Sequence, residues 1–451
     1  MSKFMIYSLT ILFIFFEFPI KLLASALPQS SLKHIQLGNL FLDIGGNLRF
    51  RYEYQNNYNI KKYTDFDDKY LLERIRLNLD LKTPKGLKAF IQFQDSHCID
   101  CTLRLSDFKG KCPYVNEWDL RQAYLEWSRI NGSHFGFKIG RQQIAYRDKR
   151  VFGPGSWGNV GRYTWDVFMV KYESSYLNLD AFFAKRIFYL PKTFLDKHYP
   201  YNVYALYGQV KNLPIDFDIF YVYKFNQKDK IDKYGNFFPK ERRHTLGFYF
   251  KGKCPLYAKD YFLRFSGLYA YQMGSYSSQE KDIYAYGYYI NLGINYKLLI
   301  PQSFWLKYSY GSGDKNPNDN KIQTFDGIFS GMSQYFGRMN MFCWKNIEDY
   351  QLTYQLMPIR GLKIILDHHW FYLAQKADYW YYINSKPVQD RGRNFLSDYL
   401  GREWDAFAIY DINKHLQFQL AYCHFIPEAA IIDTGYHEES DYFIFQTFYK
   451  F

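Results

Sequence analysis

Arginine recurs at a spacing of two in two early segments of the chain. Arg49 and Arg51 form one pair, and Arg74 and Arg76 form another. Successive side chains of a β-strand point to opposite faces, so each pair is expected on one face of a strand. A guanidinium group can hold a carboxylate through two parallel hydrogen bonds. A ring of such groups in a confined aqueous space attracts anions and repels cations. The pattern therefore predicts an anion path, although nearby acidic residues are expected to pair with some of these arginines.

A second group of arginines occupies a glycine-rich segment further along the chain. Arg141, Arg150 and Arg162 are accompanied by Asp148 and Asp166. Strict alternation along the preceding strand would place Arg141 on its apolar face. We therefore expect Arg141 either at the rim of a sheet or beyond a bulge that redirects its side chain.

The cysteine and histidine residues suggest a metal or redox site only weakly. Cys98 and Cys101 lack a second cysteine pair at zinc-finger spacing, and no histidine follows Cys101 as haem attachment would require. In an oxidising compartment, a disulfide within residues 96–117 is the expected alternative. His368 and His369 are consecutive in an alternating strand and should face opposite sides, so we expect no metal site and no cofactor. The pairing of the cysteines remains open; they are Cys98, Cys101, Cys112, Cys254, Cys343 and Cys423.

The arginine pairs belong to long segments that alternate between apolar and polar residues. Between Leu71 and Lys82 the odd positions are largely leucine or isoleucine, and the even positions are polar. Segments of about ten alternating residues are typical of transmembrane β-barrels. A soluble β-sandwich or propeller would have shorter strands and a polar outer face. The pattern therefore favours an all-β, antiparallel, up-and-down transmembrane barrel.

The connections between these segments alternate between short and long. We count about eight short turns and nine longer polar loops, among them 96–117, 143–164, 312–346 and 374–401. Short turns on one rim and long loops on the other are typical of outer-membrane barrels. The count predicts about 18 strands, with both termini on the short-turn, periplasmic side.

Composition and the N-terminus agree with this location. Aromatic residues make up 22% of the 451 residues, and the formal net charge is +13. The mean hydropathy of −0.39 argues against a bundle of transmembrane helices. Lys3, the apolar run 4–16 and the small residues Ala24-Ser25-Ala26 are arranged as in a secretory signal peptide. We predict a signal peptide at 1–26 and a barrel at 27–451, with a single N-terminal anchor helix as the alternative.

The last strand ends on an aromatic residue. Phe443, Phe445, Thr447, Tyr449 and Phe451 alternate with other residues up to the C-terminus. A terminal aromatic at the end of an alternating strand resembles the assembly signal that the barrel-insertion machinery reads.

Several motifs resemble the alginate-export family. One begins at Ile139-Gly140-Arg141-Gln142 and continues through Asp148, Arg150, Gly153-Pro154, Trp157, Asn159, Gly161-Arg162 and Asp166. Others are Gly311-Ser312-Gly313-Asp314, Thr324-Phe325-Asp326, Tyr335-Phe336-Gly337 and Gly401-Arg402-Glu403-Trp404-Asp405. The resemblance implies an 18-stranded outer-membrane barrel whose arginine-rich lumen passes an anionic polysaccharide. It also implies that the segment containing Arg150 folds towards the pore and narrows it.

The sequence thus predicts a passive outer-membrane channel for anions, with an alginate-like polysaccharide as one candidate cargo. Its expected partners are the cargo, outer-membrane lipid, the barrel-insertion machinery through Phe451 and periplasmic export proteins, with no nucleic acid. A general small-solute porin with mild anion selectivity stays open as an alternative, as do a surface adhesin and a barrel enzyme. We expect no catalytic activity, because no nucleophile motif with the required context is present. The predicted pore-lining residues are Arg49, Arg51, Arg74, Arg76, Arg141, Asp148, Arg150, Arg162 and Asp166.

Overall fold

The alternating segments form the strands of one antiparallel sheet. The structure is a computed structural model, and it describes residues 32–451 apart from 59–66, 104, 109, 111, 257–259, 279, 333 and 389–391. The signal peptide predicted at 1–26 lies outside these residues. Eighteen long strands are found in the described part of the chain: β1 Leu40–Asn56, β2 Asp68–Lys82, β3 Leu87–Ile99, β4 Asn116–Trp127, β5 Phe135–Gln142, β6 Trp165–Glu173, β7 Leu177–Phe188, β8 Lys197–Val210, β9 Asp216–Asn226, β10 Glu241–Pro255, β11 Phe262–Tyr276, β12 Lys281–Lys297, β13 Pro301–Gly311, β14 Ile347–Leu356, β15 Leu362–Tyr372, β16 Tyr399–Asp411, β17 Leu416–Pro427 and β18 Ser440–Lys450.

The last strand pairs with the first and closes the sheet into a barrel. The β1–β18 register runs from Asn47 opposite Lys450 to Asn56 opposite Asp441. Phe451 continues the pairing, since its backbone N–H donates to the carbonyl oxygen of Gly46 at 3.2 Å and its carbonyl oxygen accepts from Gly46 N at 3.1 Å. A Cβ atom at Gly46 would lie 2.1 Å from the carbonyl oxygen of Arg76, so this close approach requires glycine. The prediction of an 18-stranded barrel is confirmed.

The two faces of the strands differ as the alternation predicts. On β1, Arg49 and Arg51 are buried on the inner face. On β2, Ile75 and Leu77 are exposed on the outer face, while Arg74 and Arg76 are buried inside. Tyrosine rings stack across neighbouring outer positions, for example Tyr288 and Tyr310 with centroids 5.2 Å apart. The outside of the barrel is therefore apolar and aromatic, as a lipid-facing surface requires.

The connections follow the predicted alternation with one exception. Eight short turns, from 83–86 to 412–415, lie at the barrel end where β1 begins and Phe451 ends the chain. The connections at the other end include 143–164 and 312–346, whose bounds agree with the prediction. Two others, 100–115 and 373–398, are shorter than predicted because β3, β4 and β16 extend further. The exception is 277–280, a tight turn in place of a long loop. It arises because β11 and β12 stay paired up to Tyr276 and Lys281.

Short elements complete the described chain. Ile35–Leu37 pairs with the start of β1, Lys321–Ile322 lies parallel to the start of β12, and Lys230–Ile231 pairs with Phe237–Phe238. Two 3₁₀ helices, at Leu105–Phe108 and Ile130–Gly132, and one α-helix, α1 at Ala429–Ile432, lie in connections. None of the helices among the described residues has the length and apolar character needed to cross a membrane.

Candidate functional site

Residues 143–164, here called the inward loop, cross the interior of the barrel. The Trp157 ring lies 5.9 Å from that of Phe407 on β16, and Phe152 lies 5.3 Å from Phe182 on β7. Arg150 Nη1 donates to Ser309 Oγ on β13 at 3.1 Å. Because these partners lie on distant strands, the loop must run through the lumen.

A second loop, residues 312–346, meets the inward loop inside the barrel. Gly153 N donates to the carbonyl oxygen of Phe329 at 2.9 Å, and Phe329 N donates to that of Val151, also at 2.9 Å. The ring of Phe329 lies 4.7 Å from that of Trp165 in an edge-on contact. Phe336 and other apolar residues of this loop are fully buried. The two loops therefore form a joint apolar core within the lumen.

Three arginines predicted to line the pore bind the backbone of the inward loop. Arg49 Nη1 donates to the carbonyl oxygen of Trp157 at 3.0 Å, and its Nη2 donates to Asn159 Oδ1 at 2.9 Å. Arg51 Nη1 donates to the same Trp157 oxygen at 2.7 Å, and its guanidinium carbon lies 4.7 Å from the centre of the Trp157 ring. Arg74 makes longer contacts of 3.4 Å with the carbonyl oxygens of Ser156 and Gly158. These arginines fix the position of the loop as well as carrying charge.

A fourth and a fifth arginine retain N–H groups that no described residue accepts. Arg76 Nε donates to Gln94 Oε1 at 2.7 Å, but its Nη2 has no acceptor among the described residues. Arg121 on β4 is 0% exposed, and none of its three nitrogens finds an acceptor in the described chain. Its guanidinium carbon lies 4.5 Å from the centre of the Tyr189 ring. A buried guanidinium with free donors needs an anion or water to complete its hydrogen bonds.

Two neighbouring carboxyl groups lie among these arginines, with Asp119 acting on Arg121 and Asp196 acting on Arg141. Asp119 is also on β4 and is fully buried, and Asp196 ends the connection before β8. Burial, together with the neighbouring charge of Asp119, raises the pKa of Asp196 to about 8. Near neutral pH this carboxyl group is therefore largely protonated, and Asp119 supplies the negative charge that acts on Arg121, Arg141 and Arg76.

The remaining predicted residues form two ion pairs and one hydrogen bond to a backbone carbonyl around the inward loop. Arg141 Nε lies 3.0 Å from Asp166 Oδ1, and Arg150 Nε lies 3.4 Å from Asp148 Oδ2. Arg162 Nη1 donates to the carbonyl oxygen of Ile383 at 2.7 Å, in the 373–398 connection. Arg141 is buried although the odd–even alternation along β5 places it on the apolar face. The preceding residue, Gly140, has φ +119°, but β5 stays in register with β4 and β6 through Arg141. Arg141 lies near the end of β5, directly opposite Asp166 and next to the inward loop.

Two lysines, one on the wall and one within the second loop, hold Asp326 of that loop. Lys224 Nζ on β9 lies 2.9 Å from Asp326 Oδ2, and Lys345 Nζ lies 2.8 Å from Asp326 Oδ1. Burial alone would raise the pKa of Asp326, but the two lysines and Arg243 outweigh it and hold that pKa well below its usual value. Asp326 is thus a charged anchor of the second loop.

Acidic residues occupy a different sector of the inner wall. Asp349 on β14, Asp367 on β15, and Glu403 and Asp405 on β16 are all buried. Strands β17 and β18 separate this sector from β1 and β2, which carry arginines. The lumen is therefore electropositive on one side and rich in carboxylates on another.

Sequence reasoning missed Arg121 and the acidic sector. Arg121 lies at a register shift between β3 and β4, where Gln92 pairs with Gln122 but Phe93 pairs with Leu120. Such a bulge breaks the odd–even alternation of side chains by which Arg49 was assigned to the inner face. The acidic residues do follow the alternation, since Glu403 and Asp405 are two residues apart and their neighbours face outward. The rule that placed the arginines would have placed this acidic pair inside too.

The cysteines are distributed over the same structure. Cys98 and Cys101 form a disulfide at the end of β3. Cys112, Cys343 and Cys423 are free and buried, and Cys254 is free and exposed. A disulfide within 96–117 was the expected use of the first cysteine pair.

Solved structures with a similar fold are outer-membrane porins. OccK11 (OpdR) of Pseudomonas aeruginosa is 15% identical, with a TM-score of 0.55, over 90% of this chain and 95% of that one. OccAB2 of Acinetobacter baumannii is 11% identical, with a TM-score of 0.60, over 90% and 98% of the two chains. A BenF-like porin from Pseudomonas fluorescens Pf-5 is 11% identical, with a TM-score of 0.60, over 91% and 98%. No curated protein matches the chain. The fold is that of a bacterial outer-membrane channel.

The family follows from the sequence profile. The profile of the alginate export family matches residues 41–445, which is nearly the whole described barrel. The chain belongs to the alginate export family. Family and fold both point to a transport channel rather than to an enzyme.

Proposed function

We propose that the channel is selective for anions and that its cargo carries carboxylate groups, with an acidic polysaccharide of the polyuronate type as the first candidate. The observation that carries this proposal is the group of buried lumenal arginines whose donors are not all used. Arg121 and Arg76 offer free N–H groups, and no acceptor for these lies in the part of the chain that the structure describes. Guanidinium donors bind carboxylates strongly and in a defined geometry.

The arginines that bind the inward loop also support anion selectivity. Arg49 and Arg74 donate to neutral carbonyl and amide oxygens, so their positive charges remain uncancelled. Arg51 differs, because its Nε lies 2.6 Å from Glu53 Oε1. A confined lumen with a surplus of fixed positive charge on one side favours anions over cations.

We further propose that both termini face the periplasm and that the long connections face outward. Short turns on the periplasmic rim and longer extracellular loops are the usual arrangement in such barrels. In this orientation Phe451, paired with Gly46, would be available to the barrel-insertion machinery before the seam closes, and periplasmic export proteins would meet the short-turn end.

The first experiment is a reversal-potential measurement across a planar bilayer with a salt gradient. We expect anion selectivity in the wild-type channel and a clear reduction in Arg121→Gln. Arg129→Gln is the matched control, because it removes the same charge from a side chain that is 63% exposed near a short turn. A cation-selective channel, or one without conductance, would refute the proposal.

The cargo is tested by adding oligouronates to the same bilayer. We expect concentration-dependent block of the current, weakened in Arg121→Gln and unchanged in Arg129→Gln. Anion selectivity without any block would leave a general anion porin as the function and would exclude the polyuronate cargo.

A further inference from the structure

The acidic sector of the lumen is arranged around one histidine. His369 on β15 is 2% exposed, and its Nδ1 lies 2.9 Å from Asp349 Oδ1 on β14. One potential ligand atom from each of Asp367, His369 and Asp405 lies within 4.8 Å of the other two. The neighbouring His368 points outwards, where its ring stacks on Trp404 at 3.6 Å. Only one of the two consecutive histidines therefore belongs to this cluster.

The strand register places like charges opposite each other. Asp367 on β15 is directly opposite Asp405 on β16, and His369 is opposite Glu403. Like charges in directly opposed positions destabilise a pair of strands. Among the described residues, no lysine or arginine nitrogen lies within 4.0 Å of Asp367, Glu403 or Asp405. Lys307 and Arg338 act on Asp367, and Arg338 on Asp405, only from a greater distance. Buried carboxylates without a close partner charge are costly, so a proton or a bound cation is favoured here.

Each group is fixed on one side and has an unused atom on the other. Asp367 Oδ1 accepts from Gln351 Nε2 at 2.9 Å, and its second oxygen has no donor among the described residues. Asp405 Oδ2 accepts from the backbone N–H of Arg338 at 3.1 Å, while its Oδ1 is buried and receives no hydrogen bond from the described chain. Glu403 repeats this arrangement, with Oε1 bonded to Met339 N at 2.8 Å and Oε2 buried without a donor.

We propose that Asp367, His369 and Asp405 bind a divalent cation of the class that accepts mixed nitrogen and oxygen ligands, represented by Zn²⁺. Imidazole and carboxylate groups are both ordinary ligands of Zn²⁺. The contact between His369 Nδ1 and Asp349 reproduces the carboxylate–histidine–metal arrangement, in which the second ring nitrogen is left for the metal. This proposal departs from the sequence-based expectation that the two histidines form no metal site.

The cation would also fix the second loop to the barrel wall. The backbone N–H groups of Arg338 and Met339 already bind Asp405 and Glu403. Gly337 approaches Glu403 so closely that a Cβ atom there would lie 2.4 Å from Glu403 Oε2, and its φ is +76°. A metal bound to Asp405 would hold this carboxylate in the position that the loop backbone at Arg338 requires.

The test is metal binding by the purified full-length barrel. Chelator-treated protein in detergent is titrated with Zn²⁺ by calorimetry, and bound metal is counted by mass spectrometry. We expect about one Zn²⁺ per chain and a rise in the temperature at which the barrel unfolds, read from its heat-dependent gel mobility. Ca²⁺, which prefers oxygen-only sites, should bind more weakly.

Variants separate this site from surface binding. His369→Gln and Asp367→Asn should each weaken Zn²⁺ binding about 10-fold or more, and His368→Gln, the outward-facing neighbour, should leave it unchanged. If Asp367→Asn fails to fold, His369→Gln alone decides the question. The absence of stoichiometric Zn²⁺ binding in the wild type would show that a proton rather than a metal lies between the carboxylates, and it would overturn the proposal. Equal binding by wild type and His369→Gln would also overturn it.

Discussion

Replacement of Arg49 by alanine should release the inward loop from the barrel wall. Arg49 makes two hydrogen bonds of 3.0 Å or less with this loop, at Trp157 and Asn159. Hydrogen bonds from a charged donor each contribute about 1.5–3 kcal/mol, so the loss is about 3 kcal/mol or more. At 1.4 kcal/mol for each factor of ten, the equilibrium constant for release should rise about 100-fold.

Limited trypsin digestion measures this release. The loop contains Arg147, Lys149 and Arg150, and cleavage of a transiently opened segment follows its open population when opening and closing are fast. We expect Arg49→Ala to be cut in this loop about 100-fold faster than wild type. Arg49→Lys keeps the charge but loses the paired donors, so it should be cut at an intermediate rate.

The control is another buried lumenal arginine. Arg243 binds Glu241 and Gln272, and none of its hydrogen bonds or ion pairs reaches the inward loop. Arg243→Ala should therefore leave cleavage within 143–164 at the wild-type rate. If Arg49→Ala retains the heat-dependent mobility of an intact barrel and is also cut at the wild-type rate, Arg49 does not hold the loop and the reasoning fails.

Two further measurements test the lumen and the orientation. The pKa of Asp196 is about 8, so this carboxyl group is neutral below that pH and negative above it. Anion selectivity should therefore fall as the pH rises from 7 to 9. Asp196→Asn should remove this pH dependence. A membrane-impermeant maleimide should not label the exposed Cys254, near a short turn, in intact cells, but should label it once the outer membrane is permeabilised. Asn318→Cys, in a long connection, should be labelled in both conditions, and labelling of Cys254 in intact cells would contradict the proposed orientation.

The wall of the barrel could be predicted from the sequence because strand periodicity is a local property. The inner positions of Arg49 and Arg74 follow from parity alone, and the short turns mark the ends of strands. The alternation fails at Arg141, near the end of β5, and at the bulge beside Arg121, where the backbone leaves the regular ladder. A bulge depends on the pairing of two strands, so no single segment encodes it visibly.

The contents of the lumen could not be predicted in the same way. Arg49 binds Trp157 and Asn159 across more than 100 positions of sequence, and three of its acceptors are backbone carbonyl oxygens, which every residue has. The family resemblance indicated that the loop folds inwards. Only the three-dimensional structure identifies which arginines hold it and which, like Arg121, retain free donors.

The use of neutral acceptors reconciles loop anchoring with anion transport. An arginine paired with a carboxylate is fixed in place, but its charge is largely cancelled at a distance. An arginine bound to carbonyl oxygens is also held in place, and it still carries its full charge. Arg49 and Arg74 bind the inward loop in this second way, whereas Arg51 also pairs with Glu53. The barrel can therefore narrow its lumen with a loop and keep the positive potential that attracts an anionic cargo.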